Sequence, residues 1–81
     1  MNWDLEIDAI GLLCPLPVLK LRKRMQVLKI GSIIRVLADD PAATVDIPHF
    51  CNEHGHKFLG SNLLSGVEYK KGSKEYFIEK A

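Results

Sequence analysis

The chain changes twice from an extended, apolar pattern to a helical one at a proline. The first change falls at Cys14-Pro15-Leu16-Pro17 and the second at Asp39-Asp40-Pro41. Proline suits the first turn of a helix because the backbone N–H groups there have no intrahelical partner. The pattern therefore predicts that Cys14 and Asp40 are N-caps of two helices. Two such junctions constrain the chain to an alternating order of strands and helices.

Hydrophobic periodicity defines the elements around those junctions. Trp3, Leu5 and Ile7 alternate with acidic residues, which is typical of a half-buried strand. Ile33–Ala38 is a β-branched run, and its near-continuous hydrophobicity predicts a strand in a central position. The predicted elements are, in order, a strand over 3–8, a helix from 15 to about 28, a strand over 33–38, a helix over 42–54 and strands over 57–63 and 75–80.

Some local features stay open at this stage. Gly11 lies in the loop before Cys14 and is free to take a positive φ. Pro48 falls inside the second helix and either kinks it or marks its start, with Thr44 or Asp46 as the cap. Residues 67–70 either extend the third strand or pair with the fourth.

This order of elements predicts an α+β fold formed by one domain over residues 1–81. Two helices and four strands give a two-layer α/β sandwich in which both helices cover one face of a four-stranded mixed sheet. The right-handed crossover rule makes the first two strands parallel if they are neighbours.

Composition excludes several classes of protein. The 81 residues carry a net charge of +1, so no overall field favours nucleic acid or a membrane surface. The uncharged stretch over 9–19 is interrupted by glycine and prolines and is shorter than the roughly 20 residues of a membrane span. Two cysteines are too few for a secreted disulfide framework. We expect a cytoplasmic monomer with reduced thiols and no contact with a membrane.

Cys14 is the candidate nucleophile. A helix N-terminus favours the thiolate, so the sequence predicts an accessible thiol with a modestly lowered pKa, presented by a turn that Pro15 and Pro17 stiffen. The alternative is a small buried residue that happens to cap a helix. A cysteine hydrolase would need a histidine base and a substrate pocket, and nothing in this short chain requires either. A carrier needs only the exposed thiol.

Charged residues of the first helix are a second candidate site. Lys20, Arg22, Lys23 and Arg24 have no acid among them and form either a solvated helix face or a docking surface for an acidic partner or RNA. Aromatic residues are sparse around them, so we do not expect direct nucleic-acid binding.

The histidines and the second cysteine do not favour a metal site. His49, Cys51, His54 and His56 include only one pair, Cys51 and His54, that shares a helix face, whereas zinc needs four convergent ligands. We expect Cys51 to pack in the core and no metal or organic cofactor to be required.

The segments Asp8-Ala9-Ile10-Gly11-Leu12-Leu13-Cys14-Pro15-Leu16-Pro17 and Ala38-Asp39-Asp40-Pro41-Ala42-Ala43-Thr44-Val45-Asp46-Ile47-Pro48 resemble the TusA/SirA-like sulfur-carrier family, as do Phe50-Cys51 and Gly55-His56. The resemblance implies a fold like the C-terminal domain of translation initiation factor 3. It implies that Cys14 carries sulfane sulfur as a persulfide. The donor would be a cysteine desulfurase or another carrier, and the sulfur would pass to an acceptor protein, in some members toward tRNA thiolation and in others toward sulfur oxidation or cofactor synthesis.

The resemblance also bears on residues around the cysteine. Gly11, Pro15, Leu16 and Pro17 would present the thiol, and Asp40 would help to shape the site. Members that act in tRNA thiolation often carry Arg before the cysteine and an acid between the prolines, where this chain has Leu13 and Leu16. The two leucines predict an apolar rim and a less charged partner contact.

We therefore predict a persulfide carrier of the sulfurtransferase type. One alternative is a non-catalytic interaction module that uses the basic helix to bind a partner. The other is a thiol redox protein that uses Cys14 and Cys51.

Overall fold

The computed structural model describes residues 2–81. Four strands and two helices follow one another as the sequence predicts, and the α+β sandwich is confirmed. Their bounds are β1 Leu5–Asp8, α1 Leu16–Met25, β2 Ile33–Ala38, α2 Ala43–His54, β3 Lys57–Leu63 and β4 Lys74–Glu79.

The sheet has the strand order β1-β2-β4-β3. β1 and β2 are parallel, with Leu5 opposite Ile34, whereas β4 runs antiparallel to both of its neighbours. The sheet is therefore mixed, and the β-branched strand β2 lies inside it, as predicted. Parallel pairing brings the carboxyl ends of β1 and β2 to the same edge, where the loops that lead into both helices begin.

The core lies between the helices and one face of the sheet. It is formed by apolar side chains from β1, α1, β2, α2 and β4, including Ile7, Leu21, Ile34, Ile47 and Ile78. Burial of this face holds both helices on the same side, because each helix buries one apolar stripe.

The other face of the sheet carries a polar and aromatic cluster. Arg35 donates to Glu6 and Glu75 at 2.7 Å each, and its guanidinium lies 4.7 Å from the ring centre of Trp3. Trp3 also contacts Phe77, at 5.9 Å between ring centres. The prediction that Trp3 belongs to the first strand is wrong, because the chain turns before Leu5 and places the indole on the face opposite the core.

Three further features differ from the sequence prediction or resolve it. α1 ends at Met25 instead of about 28, since Lys80 Nζ donates to the carbonyls of Met25 and Leu28 at 2.7 and 2.6 Å. Pro48 lies inside α2 without interrupting it. Residues 67–70 belong to the turn between β3 and β4 and extend neither strand. Within residues 2–81, neither helix is long and apolar enough to cross a membrane.

Candidate functional site

Cys14 is exposed in the loop that joins β1 to α1. The helix begins at Leu16, its N-cap is Pro15, and no side chain caps it. The prediction that Cys14 is the N-cap is therefore wrong by one residue. The Leu16 N–H donates to the carbonyl of Leu13 at 2.8 Å and not to the sulfur.

Two aspartates that follow β2 hold this loop in place. Asp39 Oδ1 accepts a hydrogen bond from the N–H of Gly11 at 2.9 Å, and Asp40 Oδ2 accepts one from the N–H of Cys14 at 2.6 Å. Asp40 Oδ1 also accepts from the Ala42 N–H at 3.1 Å in the turn that leads into α2. The prediction that Asp40 is the N-cap of α2 is wrong, because the N-cap is Ala42 and the helix begins at Ala43. The expectation that Asp40 shapes the site stays a prediction for function, but the structure places its carboxylate against the cysteine backbone.

A third aspartate contacts the sulfur itself. The Cys14 thiol donates to Asp46 Oδ2 at 2.8 Å, across the space between the loop and α2. This hydrogen bond favours the thiol, and together with desolvation and the charges of Asp46 and Asp40 it raises the pKa of Cys14 above its ordinary value. The prediction of a lowered pKa is therefore wrong, because the carboxylates of Asp46 and Asp40 act on the sulfur.

Replacing Asp46 with Asn should make Cys14 more reactive toward alkylating agents below its pKa. The amide carries no charge and is able to donate to the thiolate, so the pKa of Cys14 should fall. The pH profile of the iodoacetamide reaction of Asp46→Asn should then lie at lower pH than that of the wild type. A Glu53→Gln variant is the control, because Glu53 lines the cavity beside Cys14 and is not among the causes of the raised pKa of Cys14. An unchanged profile in Asp46→Asn would contradict the assignment.

Exposed leucines flank Cys14 along the chain, and both charged and apolar side chains line the cavity beside it. Leu13, Leu16 and Leu19 are 69%, 49% and 50% exposed. On the side toward α2, Cys14 opens onto a cavity of about 340 Å³ whose lining includes Val18 and Phe50. The cysteine therefore lies between an apolar rim and one end of a groove that runs between α1 and α2, hereafter the interhelix groove.

The basic residues of α1 lie in different surroundings. Lys20 donates to the carbonyl of Asp8 at 2.6 Å and so ties α1 to the end of β1. Arg22 lines the far part of the interhelix groove, while Lys23 and Arg24 are exposed. Their docking role stays a prediction.

The second cysteine and the three histidines do not form a cluster around the Cys14 sulfur. Cys51 is buried in the core as predicted, burial raises the pKa of its thiol to about 11, and neither cysteine forms a disulfide. His49 pairs with Glu53 at 3.2 Å, and His54 and His56 lie against Phe50. Within residues 2–81, no three His, Cys, Asp or Glu side chains form a metal-binding group.

Sequence reasoning missed the contact between Asp46 and Cys14. It gave Asp46 as a possible helix cap, with Thr44 as the other candidate, because both positions precede Pro48. The signal that was present is the spacing: Asp46 and Phe50 lie four apart on α2, on one face, and both line the groove beside Cys14.

Comparison with known proteins shows the family of the chain. A family model described as "Sulfurtransferase TusA" matches residues 5–80. The chain belongs to the TusA family. It is 37% identical over 67 residues to the sulfur carrier protein TusA of Pseudomonas syringae pv. syringae (strain B728a), covering 83% of this chain and 80% of that protein. The sulfur carrier protein TusA of Pseudomonas entomophila (strain L48) is 42% identical over 64 residues, which are 79% of this chain and 80% of that one.

A solved structure confirms the fold of this TusA-family chain. The crystal structure of a SirA-like protein from Desulfitobacterium hafniense superposes with a TM-score of 0.71 at 26% sequence identity. The alignment covers 94% of this chain and 96% of the other. The family resemblance noted in the sequence is therefore confirmed.

Proposed function

We propose that this protein relays sulfane sulfur as a persulfide on Cys14, between a donor such as a cysteine desulfurase or another carrier and an acceptor protein. The observation that carries the proposal is an exposed thiol held in a loop that two aspartates fix through its backbone. Membership of the TusA family supports it, since the named relatives are sulfur carrier proteins.

The loading step needs no oxidant or reductant. The Cys14 thiolate attacks the outer sulfur of the donor's persulfide, and a new S–S bond forms as the donor's own S–S bond breaks. The donor cysteine leaves as a thiolate and takes up the proton that Cys14 gave up. Unloading is the same exchange, in which an acceptor thiolate attacks the outer sulfur and Cys14 leaves.

The carboxylate beside the sulfur favours the thiol form of Cys14 in the free protein. A thiol is a weak nucleophile, so the unpartnered protein is protected from unspecific alkylation and oxidation. A cationic group that a partner brings near Asp46 would offset the carboxylate and favour the thiolate. Activation would then be coupled to docking, and the exposed leucines of the rim supply apolar area for that contact.

Sulfur loading is tested by incubating the protein with cysteine and a cysteine desulfurase and then measuring the mass of the intact chain by mass spectrometry. A carrier gains one sulfur atom, and reduction removes it. An interaction module gains nothing, and its partner binding is lost when Lys20, Arg22 and Lys23 are reversed in charge. A redox protein would instead protect Cys14 and Cys51 from alkylation together under oxidising conditions.

A further inference from the structure

The interhelix groove continues past the cysteine to the opposite end of the two helices. The cavity beside Cys14 is followed by a second one of about 310 Å³, and the two share Phe50 and His54 in their walls. A ligand that lies along the groove can therefore contact both ends.

Arg22 and Lys80 give the far end of the groove its positive charge, and His54 and His56 lie beside them. These four residues line it, and among residues 2–81 no carboxylate side chain joins them in the wall. Arg22 forms no ion pair with any residue of the range 2–81. Hydrogen bonds to the carbonyls of Met25 and Leu28 hold the Lys80 ammonium, so this charge is fixed in position.

His56 lies at this end, partly buried and close to positive charge. Its Nδ1 accepts a hydrogen bond from the Ala81 N–H at 3.1 Å, which leaves Nε2 as the atom that can donate to a ligand. Burial, followed by the charges of His54 and Lys80, lowers the pKa of His56. An anion bound at this end would relieve that repulsion.

The near end has the opposite character. Asp46 lies against the sulfur, and Glu53 lines the same cavity, where it pairs with His49 at 3.2 Å. A partner segment with a carboxylate close to its own cysteine would meet like charge here, whereas one with a carboxylate farther along would reach the cationic end.

We propose that the interhelix groove binds an extended, acidic peptide segment of a partner protein. The cysteine of that segment meets Cys14, and its carboxylate, about four residues away, lies among Arg22, His54, His56 and Lys80. The spacing follows from geometry: Asp46 and His54 are about two helical turns apart, or roughly 12 Å, and an extended chain covers about 3.3 Å per residue. The proposal rests on the proposed function for the role of Cys14.

Disulfide tethering tests this without any sulfur transfer. Three end-blocked peptides are supplied as mixed disulfides with 2-mercaptoethanol, and exchange with the Cys14 thiol releases free 2-mercaptoethanol. Their sequences are cysteine–alanine–leucine–alanine–glutamate, the same with glutamine in place of glutamate, and cysteine–glutamate–leucine–alanine–glutamine. Intact mass gives the tethered fraction at equilibrium.

The distal-acid peptide should tether about two- to fivefold more favourably than the glutamine peptide, as expected for an ion pair near the surface, and the difference should shrink with added salt. The peptide with the acid beside the cysteine should tether less than the glutamine peptide. Arg22→Gln should remove the preference, and Lys23→Gln should keep it, since Lys23 is on the same helix but outside the groove wall.

Equal tethering of the distal-acid and glutamine peptides would overturn the proposal, as would a preference that survives Arg22→Gln and disappears in Lys23→Gln. A dimer in sedimentation that Arg22→Gln dissolves would assign the groove to a second copy of the chain and also overturn it. If no peptide tethers, Cys14 is inaccessible and the proposed function fails too. If the protein loads sulfur normally but shows no preference for the distal-acid peptide, the groove proposal fails and the proposed function stands.

Discussion

Cys14→Ser is expected to abolish sulfur loading completely while leaving the fold unchanged. Cys14 is the exposed thiol of the two that the chain contains, so its removal takes away the acceptor atom. The side chain is outside the core, and surface substitutions usually change stability by no more than about 0.5 kcal/mol. Intact mass after incubation with cysteine and a desulfurase measures loading, and thermal unfolding measures the fold.

Cys51→Ser is the matched control for this loss. Cys51 is 1% exposed and its thiol pKa is about 11, so it should not accept sulfur in the folded protein. Cys51→Ser should therefore load like the wild type, at some cost in stability because a polar hydroxyl replaces a buried thiol. Loading that persists in Cys14→Ser and vanishes in Cys51→Ser would contradict the assignment of the acceptor.

Ile34→Ala should lower the free energy of unfolding by about 2–5 kcal/mol, the range for removing a large aliphatic side chain from a packed core. Ile34 is fully buried on β2, where it lies opposite Leu5 of β1 and Ile78 of β4. The substitution leaves a cavity where the parallel and antiparallel parts of the sheet meet. In a domain of this size the midpoint of thermal unfolding should fall by about 10 °C or more.

Chemical denaturation with linear extrapolation measures that loss. Val67→Ala is the control, because Val67 is fully exposed in the turn before β4 and its truncation should change stability by less than about 0.5 kcal/mol. A loss below 1 kcal/mol for Ile34→Ala would contradict the placement of this side chain in the core.

Local patterns were enough to predict most of the fold. β2 and β3 have the predicted bounds, and Gly55 ends α2 in a left-handed conformation with φ of 74°. These features depend on residues close in sequence, which is why periodicity and turn chemistry predict them. The early end of α1 was not predictable in this way, because Lys80, which binds the carbonyls of Met25 and Leu28, lies at the other end of the chain.

The candidate site was predictable in position and not in electrostatics. The proline-marked junction indicated an exposed cysteine, and the structure places Cys14 there. The helix N-terminus suggested a lowered pKa, but the charge that acts on the sulfur comes from Asp46, which only the packing of α2 beside α1 brings within 2.8 Å. The local spacing puts Asp46 on the same face of α2 as Phe50, but the contact with Cys14, 32 positions away, depends on how the two helices pack.

Cyanide treatment of the sulfur-loaded protein tests the relay most directly, because cyanide removes the outer sulfur of a persulfide as thiocyanate and returns the thiol. The protein should release about one thiocyanate per chain, recover a Cys14 that alkylates normally, and accept sulfur again on a second incubation. Sulfur that cyanide does not release, or that peptide mapping locates on Cys51, would contradict a carrier that works through Cys14.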